Sequence, residues 1–322
     1  YKALKITPSL DSTTNRKNRI AANRLSLRDG VPLFSIVEIS AVAACNRRCS
    51  FCPVSSGDYY KNLGLTGIIK DDLYGKLLGD LSDINFSGMI LFSGESEPLL
   101  HKRLDKLIKK TKATLPACHV EVNSNGDLLT SDKMSHLFDV GLDTLSISLY
   151  DGPEQIDQFE QMRESSGVAA EKVILRRRYF HDGDYGIHMT NRGGLINLDP
   201  FQSVESPEGL SNQEFPLKKT CFYPFYMMCL DVGGNVTICS HDWAKKFTVG
   251  NFATEHLFDI STGPKFKIAR EKLASSDRSL PSCENCDAQG DRIGRDSFEG
   301  WLSFYRTDLQ VKNAGDETGS SE

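Results

Sequence analysis

The sequence predicts an α/β fold: a partial (β/α) barrel followed by a small cysteine-rich domain built on a β-hairpin. Three observations predict it. From Val31 onward, short apolar runs alternate with helical stripes, the pattern of parallel strands joined by crossover helices. Short polar motifs directly follow those runs, at the strand ends where such folds place their chemistry. Beyond a linker rich in Pro, Ser, Glu and Gly near residues 200–214, five cysteines gather in the remaining chain.

Residues 1–30 are polar and basic, without a core pattern, and read as an extension wrapping the domain. Residues 31–205 form the barrel. Its first strand is expected near 35–41, and Ile69, Leu73, Leu77 and Leu81 then mark an amphipathic helix. Met89 to Phe92 is a buried strand, Leu100, Leu104, Leu107 and Ile108 a helical stripe, and His119 to Val122 the next strand. Ser131 can cap a helix carrying Met134, Leu137 and Phe138, which Gly141 terminates. Thr144 to Leu149 is the fourth strand, and Pro153 suits the first turn of another helix. The second domain covers 215–290, where Gly233-Gly234-Asn235 between apolar runs predicts a hairpin. Residues 291–322 form a tail whose end, from Lys312, has the composition of a disordered segment.

A chain of 322 residues is long enough for two cores or one enlarged barrel, and 39% hydrophobic with 25% charged residues is ordinary for a folded soluble protein. The net charge of -5 speaks against a general nucleic-acid binder. Lys109-Lys110-Thr111-Lys112 closes a helix, where cations complement the dipole, while Arg176-Arg177-Arg178 follows a strand and can line a site for an anion. Nine cysteines with no signal peptide and no apolar span of membrane length point to metal ligation in a reducing cytoplasm, with no membrane partner.

Cys45, Cys49 and Cys52 are spaced Cx3Cx2C directly after the first strand. Three such thiolates converge on a soft metal centre. A four-iron cluster usually takes four cysteines, so three leave one iron open for chemistry. A zinc knuckle with a distant fourth ligand, or three core cysteines, is the bland alternative. In the second field, Cys221, Cys239, Cys283 and Cys286 can close a four-thiolate shell, which also suits structural zinc. Cys229 and Cys118 read as packing residues.

The Cx3Cx2C loop, with Phe51 before its third cysteine, resembles the signature of the radical S-adenosylmethionine (radical SAM) superfamily. The resemblance implies that the open iron chelates S-adenosyl-L-methionine (SAM), with Phe51 against the adenine. Ser93-Gly94-Glu95-Ser96-Glu97-Pro98 resembles the segment that receives the SAM ammonium, with Gly94 allowing close approach and Glu97, the acid before the proline, accepting the amine. Ser96 stands where the family most often has glycine, so Glu95 is the other candidate. Asn123 and Ser124, and Ser146 and Ser148, resemble the segments that contact SAM's ribose and carboxylate. The spacing Cx12Gx4C followed by C-x2-C resembles the abbreviated SPASM module, the twitch domain, and implies one auxiliary 4Fe-4S cluster.

These resemblances imply two 4Fe-4S clusters, SAM as co-substrate, and an electron donor such as flavodoxin or ferredoxin. Cleavage of SAM yields a 5′-deoxyadenosyl radical that takes a substrate hydrogen, and a fully ligated auxiliary cluster suits accepting the remaining electron. The expected activity is a two-electron oxidation of a small polyol, sugar or aminocyclitol. The alternatives are a peptide-modifying enzyme and a non-catalytic iron-sulfur or zinc module. Asp242 and His241, just after Cys239, are candidates for the substrate proton, and Arg192 in Thr190-Asn191-Arg192-Gly193-Gly194 for orienting the substrate.

Overall fold

The computed structural model describes residues 16–19, 27–179, 190–197 and 214–318, with side chains up to residue 307. Most of residues 1–30, the linker near 200–214, the barrel limit at 205 and residues 319–322 lie outside the described residues.

A small hairpin, β1 (Leu27–Arg28) with β2 (Val31–Pro32), precedes one eight-stranded sheet. Parallel strands β3 (Ile36–Ile39), β4 (Met89–Phe92), β5 (His119–Ser124), β6 (Thr144–Leu149) and β7 (Val173–Arg177) pair in chain order. They are separated by α1 (Tyr59–Asn62) and α2 (Asp71–Asp83), then α3 (Leu104–Thr114), α4 (Ser131–Asp139) and α5 (Glu154–Ser166). The helical stripes pack on the outer face: Leu77, Leu81, Leu107, Ile108, Met134 and Leu137 join Val37, Ile39, Ile90, Val120 and Ile147 in the main core. The α4 cap lies one residue before its expected place, because Thr130, still extended, accepts from Lys133 N. Cys118 is buried in the core, as its sequence context suggested.

The same sheet continues into the cysteine-rich region. After α6 (Tyr223–Tyr226), β8 (Met227–Leu230) pairs parallel with β3 on the side away from β4, and β9 (Asn235–Thr237) and β10 (Thr248–Asn251) extend the sheet antiparallel. The predicted hairpin is the β8–β9 connection, with Gly234 at φ 87°. No break in the sheet separates the expected 31–205 and 215–290 regions. Helices α7 (Leu257–Thr262) and α8 (Pro264–Ala274) cover this end.

The tail reading needs correction. Residues 295–318 are one helix, α9 (Arg295–Thr318), and its first half is core: Trp301 is 1% exposed, and Phe298 stacks on Phe222 with centroids 4.4 Å apart. Once these aromatic anchors have nucleated the helix, adding the turns from 312 to 318 costs little, despite their polar composition. Residues 16–19 form a helical turn held against this region. Asn18 donates to Arg292 O (2.7 Å) and accepts from Gly294 N (3.2 Å). At least this part of the extension does more than wrap the surface.

Arg270, 1% exposed, lies 3.5 Å over the Trp301 ring and donates to Pro224 O (2.8 Å) and Ser261 O (2.6 Å). Burial pushes its guanidinium down to about 10. Arg270→Ala should leave both carbonyls unsatisfied and the indole uncovered, lowering unfolding free energy by about 3 kcal/mol in chemical denaturation.

Candidate active site between two groups of cysteines

The Cx3Cx2C loop leaves the carboxyl end of β3, and Arg47 holds it there. Its guanidinium donates to Asp127 (Nε, 2.7 Å) and Asp151 (Nη1, 2.7 Å) and lies 5.0 Å over the Tyr150 ring. Cys45, Cys49 and Cys52 are half-buried, and burial raises each thiol; Cys49 is pushed up to about 11 by burial and then by Cys52 and Cys45. Phe51 stacks on Tyr150 at 6.0 Å with planes 20° apart.

Around this loop the structure gathers the expected cofactor residues. Gly94 sits at φ 80°, and a Cβ there would meet Ser40 Oγ at 2.3 Å, so only glycine fits the turn. Asn123 and Ser146 are register partners on β5 and β6, and Asn123 Oδ1 and Ser146 Oγ are buried with no hydrogen-bond partner among the described residues. Such orphans are rare, and they fit a polar ligand that supplies the missing partners. Ser148 lies beside Tyr150.

Glu97 has other work than the one expected of it. Its carboxylate accepts from Leu99 N (3.0 Å), Ser124 Oγ (2.8 Å) and Asn125 N (2.8 Å), and the residue is 2% exposed. It ties the turn after β4 to the turn after β5, and Ser124 is thereby turned to Glu97. Glu95 is instead the acid facing the interior: its side chain pairs with Lys245, and its carbonyl accepts from Tyr60.

The second group comprises Cys221, Cys239, Cys283 and Cys286, all buried. Burial raises each thiol, and for Cys239, Cys283 and Cys286 neighbouring cysteines of the same group add to the rise; Cys283 reaches about 12 and Cys286 about 11. A bound metal supplies the positive charge that lets such thiols ionise. Arg278, 2% exposed, staples the loops that carry them, donating to Lys219 O (2.9 Å), Thr220 O (3.2 Å), Ala288 O (2.6 Å) and Gln289 O (2.9 Å). A Cβ on Gly290, at φ 76°, would come within 2.5 Å of Cys221 Sγ. Cys229 lies apart, in register with Glu38 on β3. Among the described residues no three His, Cys, Asp or Glu side chains close on a single metal ion.

Between the two groups lies a chamber whose wall includes Glu38, Glu95, Cys239, Asp242, Trp243 and Lys245. Glu38, 7% exposed, has its pKa raised by burial, partly offset by Lys17. Lys245, at φ 53°, holds Glu95 and lies 3.9 Å from Asp231. Sequence reading missed Glu38 and Lys245 as chamber groups. An acid inside the apolar run Ile36-Val37-Glu38-Ile39 was the available signal for the first; nothing local marks Lys245.

Of the three catalytic candidates, Asp242 lines this chamber and Arg192 lies against one of its walls. Arg192 lies 5.2 Å over the Trp243 ring, neighbours Cys52 and Glu38 electrostatically, and has Nε buried without a partner among the described residues. Asp242 lines the wall while accepting from Lys246 N and Phe247 N (both 2.9 Å), and burial raises its pKa. His241 does not reach it: Nδ1 meets Thr190 Oγ1 (3.2 Å), Nε2 meets Tyr223 Oη (2.9 Å), and both ring nitrogens are occupied. Consecutive side chains of a turn diverge, so one of the pair had to face away.

Residues 39–188 match the Radical SAM superfamily, and residues 221–287 match SPASM, an iron-sulfur cluster-binding domain. The chain is a radical SAM enzyme with a SPASM-type auxiliary domain, and its cofactors are SAM and two iron-sulfur clusters. It is 29% identical over 257 residues to the S-adenosyl-L-methionine-dependent 2-deoxy-scyllo-inosamine dehydrogenase of Niallia circulans, covering 79% of this chain and 93% of that one. It is 27% identical over 170 residues to a tungsten-containing aldehyde ferredoxin oxidoreductase cofactor-modifying protein of Pyrococcus furiosus, covering 53% and 45%. Among solved structures it resembles BtrN in complex with AdoMet and 2-DOIA, with 26% identity, a TM-score of 0.67, and coverage of 82% and 96%. No helix among the described residues is long and apolar enough to cross a membrane.

Anaerobic reconstitution should give about eight irons per chain, and replacing Cys45, Cys49 and Cys52 together by alanine should leave about four. Cys229→Ala should retain the full complement. Arg278→Met, which changes no ligand, should lose the auxiliary cluster alone, read as loss of about half the iron with SAM cleavage retained.

Proposed function

We propose that this chain oxidises a small hydroxylated ring substrate of the aminocyclitol, sugar or polyol kind by two electrons, turning a carbinol into a carbonyl. The observation that carries the reading is the chamber between the two cysteine groups, with Cys239 of the second group in its wall. The relative from Niallia circulans is named for dehydrogenation of an aminocyclitol, which supports the same class here.

Cys45, Cys49 and Cys52 would hold the SAM-binding cluster, with Phe51, Gly94, Asn123, Ser146 and Ser148 around SAM. Cys221, Cys239, Cys283 and Cys286 would hold the auxiliary one. When bound, SAM and its cluster supply the radical that removes a substrate hydrogen atom, and the auxiliary cluster supplies an acceptor for one electron. The chain's own residues must position the ring, exclude water and take the remaining hydroxyl proton. Arg192, with an unpartnered Nε beside Cys52 and Glu38, orients the substrate. Asp242 takes the proton: burial, which makes its charged form less favourable, raises its basicity toward that task. Glu97 acts indirectly, by fixing the two turns that carry the cofactor groups. A flavodoxin or ferredoxin is the electron donor in this reading.

Anaerobic incubation with SAM, dithionite and 2-deoxy-scyllo-inosamine should give one 5′-deoxyadenosine for each product lighter by two hydrogens. A product of unchanged mass with SAM regenerated would mean isomerisation and defeat the proposal. Asp242→Asn should slow turnover about a hundredfold while 5′-deoxyadenosine still forms, now uncoupled from product.

A further inference from the structure

Glu38, Leu91, Glu121 and Cys229 are aligned across four neighbouring strands, with Thr144 beside Glu121. Two carboxylates, 7% and 1% exposed, therefore share one row of the sheet, on the face opposite the main core. A buried charge without a partner costs several kcal/mol. For Glu121 the partner comes from outside the barrel: Arg16 makes a two-pronged contact with it, Nη2 to Oε1 at 2.8 Å. That contact draws the helical turn at 16–19 into the barrel at the level of this row, and Asn18 anchors the turn to the chain just before α9. The next residue is Lys17.

Glu38 makes no hydrogen bond or ion pair among the described residues, and neither does the Lys17 ammonium, although each is the other's strongest charged neighbour. An ammonium can only donate and a carboxylate only accept. A position between the two suits a group that does both, which is a hydroxyl. We propose that the segment carrying Arg16 and Lys17 is built into the substrate chamber as its floor, and that Lys17 is a positioning residue acting through Glu38, the hydroxyl-binding group of that floor. The inference rests on the reading of the chamber as a substrate site.

The groups facing Glu38 are Lys17 from the N-terminal segment, Glu95 from the turn after β4, Arg192 from the 190–197 segment, Lys245 from the turn before β10, Cys229 from β8 and Tyr223 from α6. Burial and Glu95 raise the Glu38 pKa, while the three cations lower it. Removing Lys17 therefore raises it further, and the carboxylate is lost at a higher pH as pH falls.

Infrared titration of the Glu38 carboxyl, assigned by its absence in Glu38→Gln, tests this without any substrate. Lys17→Met should protonate at higher pH than wild type, and Lys17→Arg should restore the wild-type midpoint. Lys17→Gln is measured beside them in case the Met variant yields no folded protein. With 2-deoxy-scyllo-inosamine as probe, Lys17→Met should raise KM about tenfold, more than it lowers kcat, and move the acid limb of kcat/KM to higher pH. An unchanged infrared midpoint in Lys17→Met and Lys17→Gln, or no recovery in Lys17→Arg, overturns the proposal. Failure of wild type to oxidise the probe counts against the substrate reading, and the infrared midpoints still decide the link between Lys17 and Glu38.

Discussion

The pairing of β3 with β8 is the constraint on which the rest of the molecule depends. Four register pairs, from Ile36 with Met227 to Ile39 with Leu230, join a strand near the start of the chain to one beyond the linker. Ser35 N donating to Tyr226 O (2.8 Å) and Ser40 N to Leu230 O (2.9 Å) close the ladder at both ends. Because β8 runs parallel to β3 and β9 returns antiparallel, the loop with Cys45, Cys49 and Cys52 leaves the carboxyl end of the sheet while Cys239, just past β9, lies back toward its amino end. The chamber between the two cysteine groups follows from that geometry. Covering the free edge of β3 also removes a strand edge that would otherwise be open to other chains.

The barrel interior adds a second constraint, which is electrical. Most barrels of this general kind fill their interior with bulky apolar side chains. Here the inward row carries Glu38 and Glu121, and the turn above it carries Glu95. Their cationic neighbours come from distant parts of the chain: Arg16 and Lys17 from the N-terminal segment, Arg192 from the segment before the second domain, Lys245 from within that domain. Each pairing ties a chain segment to the barrel. Assembly of the chamber and neutralisation of its carboxylates are thus one event, and a polar substrate would enter an already charged, largely dry environment in which hydrogen bonds carry more weight.

The cysteine-rich end relies on arginine in the same way. Arg278 gathers four carbonyls from the loops on either side of the second cysteine group, and Arg270 binds α6, α7 and the Trp301 face of α9 together. A guanidinium suits both places because its fixed fork of donors satisfies several carbonyls at once. The terminal helix is therefore a wall of the domain rather than an appendage.

Much of this was legible in the sequence, because local rules determine it. Alternating apolar runs located β3 to β6 and their helices, since a buried strand or an amphipathic helix must repeat its apolar residues with its own period. The Cx3Cx2C spacing marked Cys45, Cys49 and Cys52 as a candidate ligand set, and the resemblance of the later cysteines to a SPASM-type pattern left Cys229 outside it. Tertiary structure alone decided which polar groups face which. Glu97 and Glu95 stand two residues apart in one motif, yet Leu99 N and Asn125 N claim the first and Lys245 the second. His241 and Asp242 are adjacent, yet Tyr223 and Thr190 hold the histidine away from the chamber that the aspartate lines. Arg16 and Lys17 read as part of a polar, basic extension wrapping the domain, and only the fold brings Arg16 onto Glu121 and Lys17 toward Glu38. A periodic pattern is written within a few residues, whereas the partner of a buried charge is set by whichever distant segment the fold delivers.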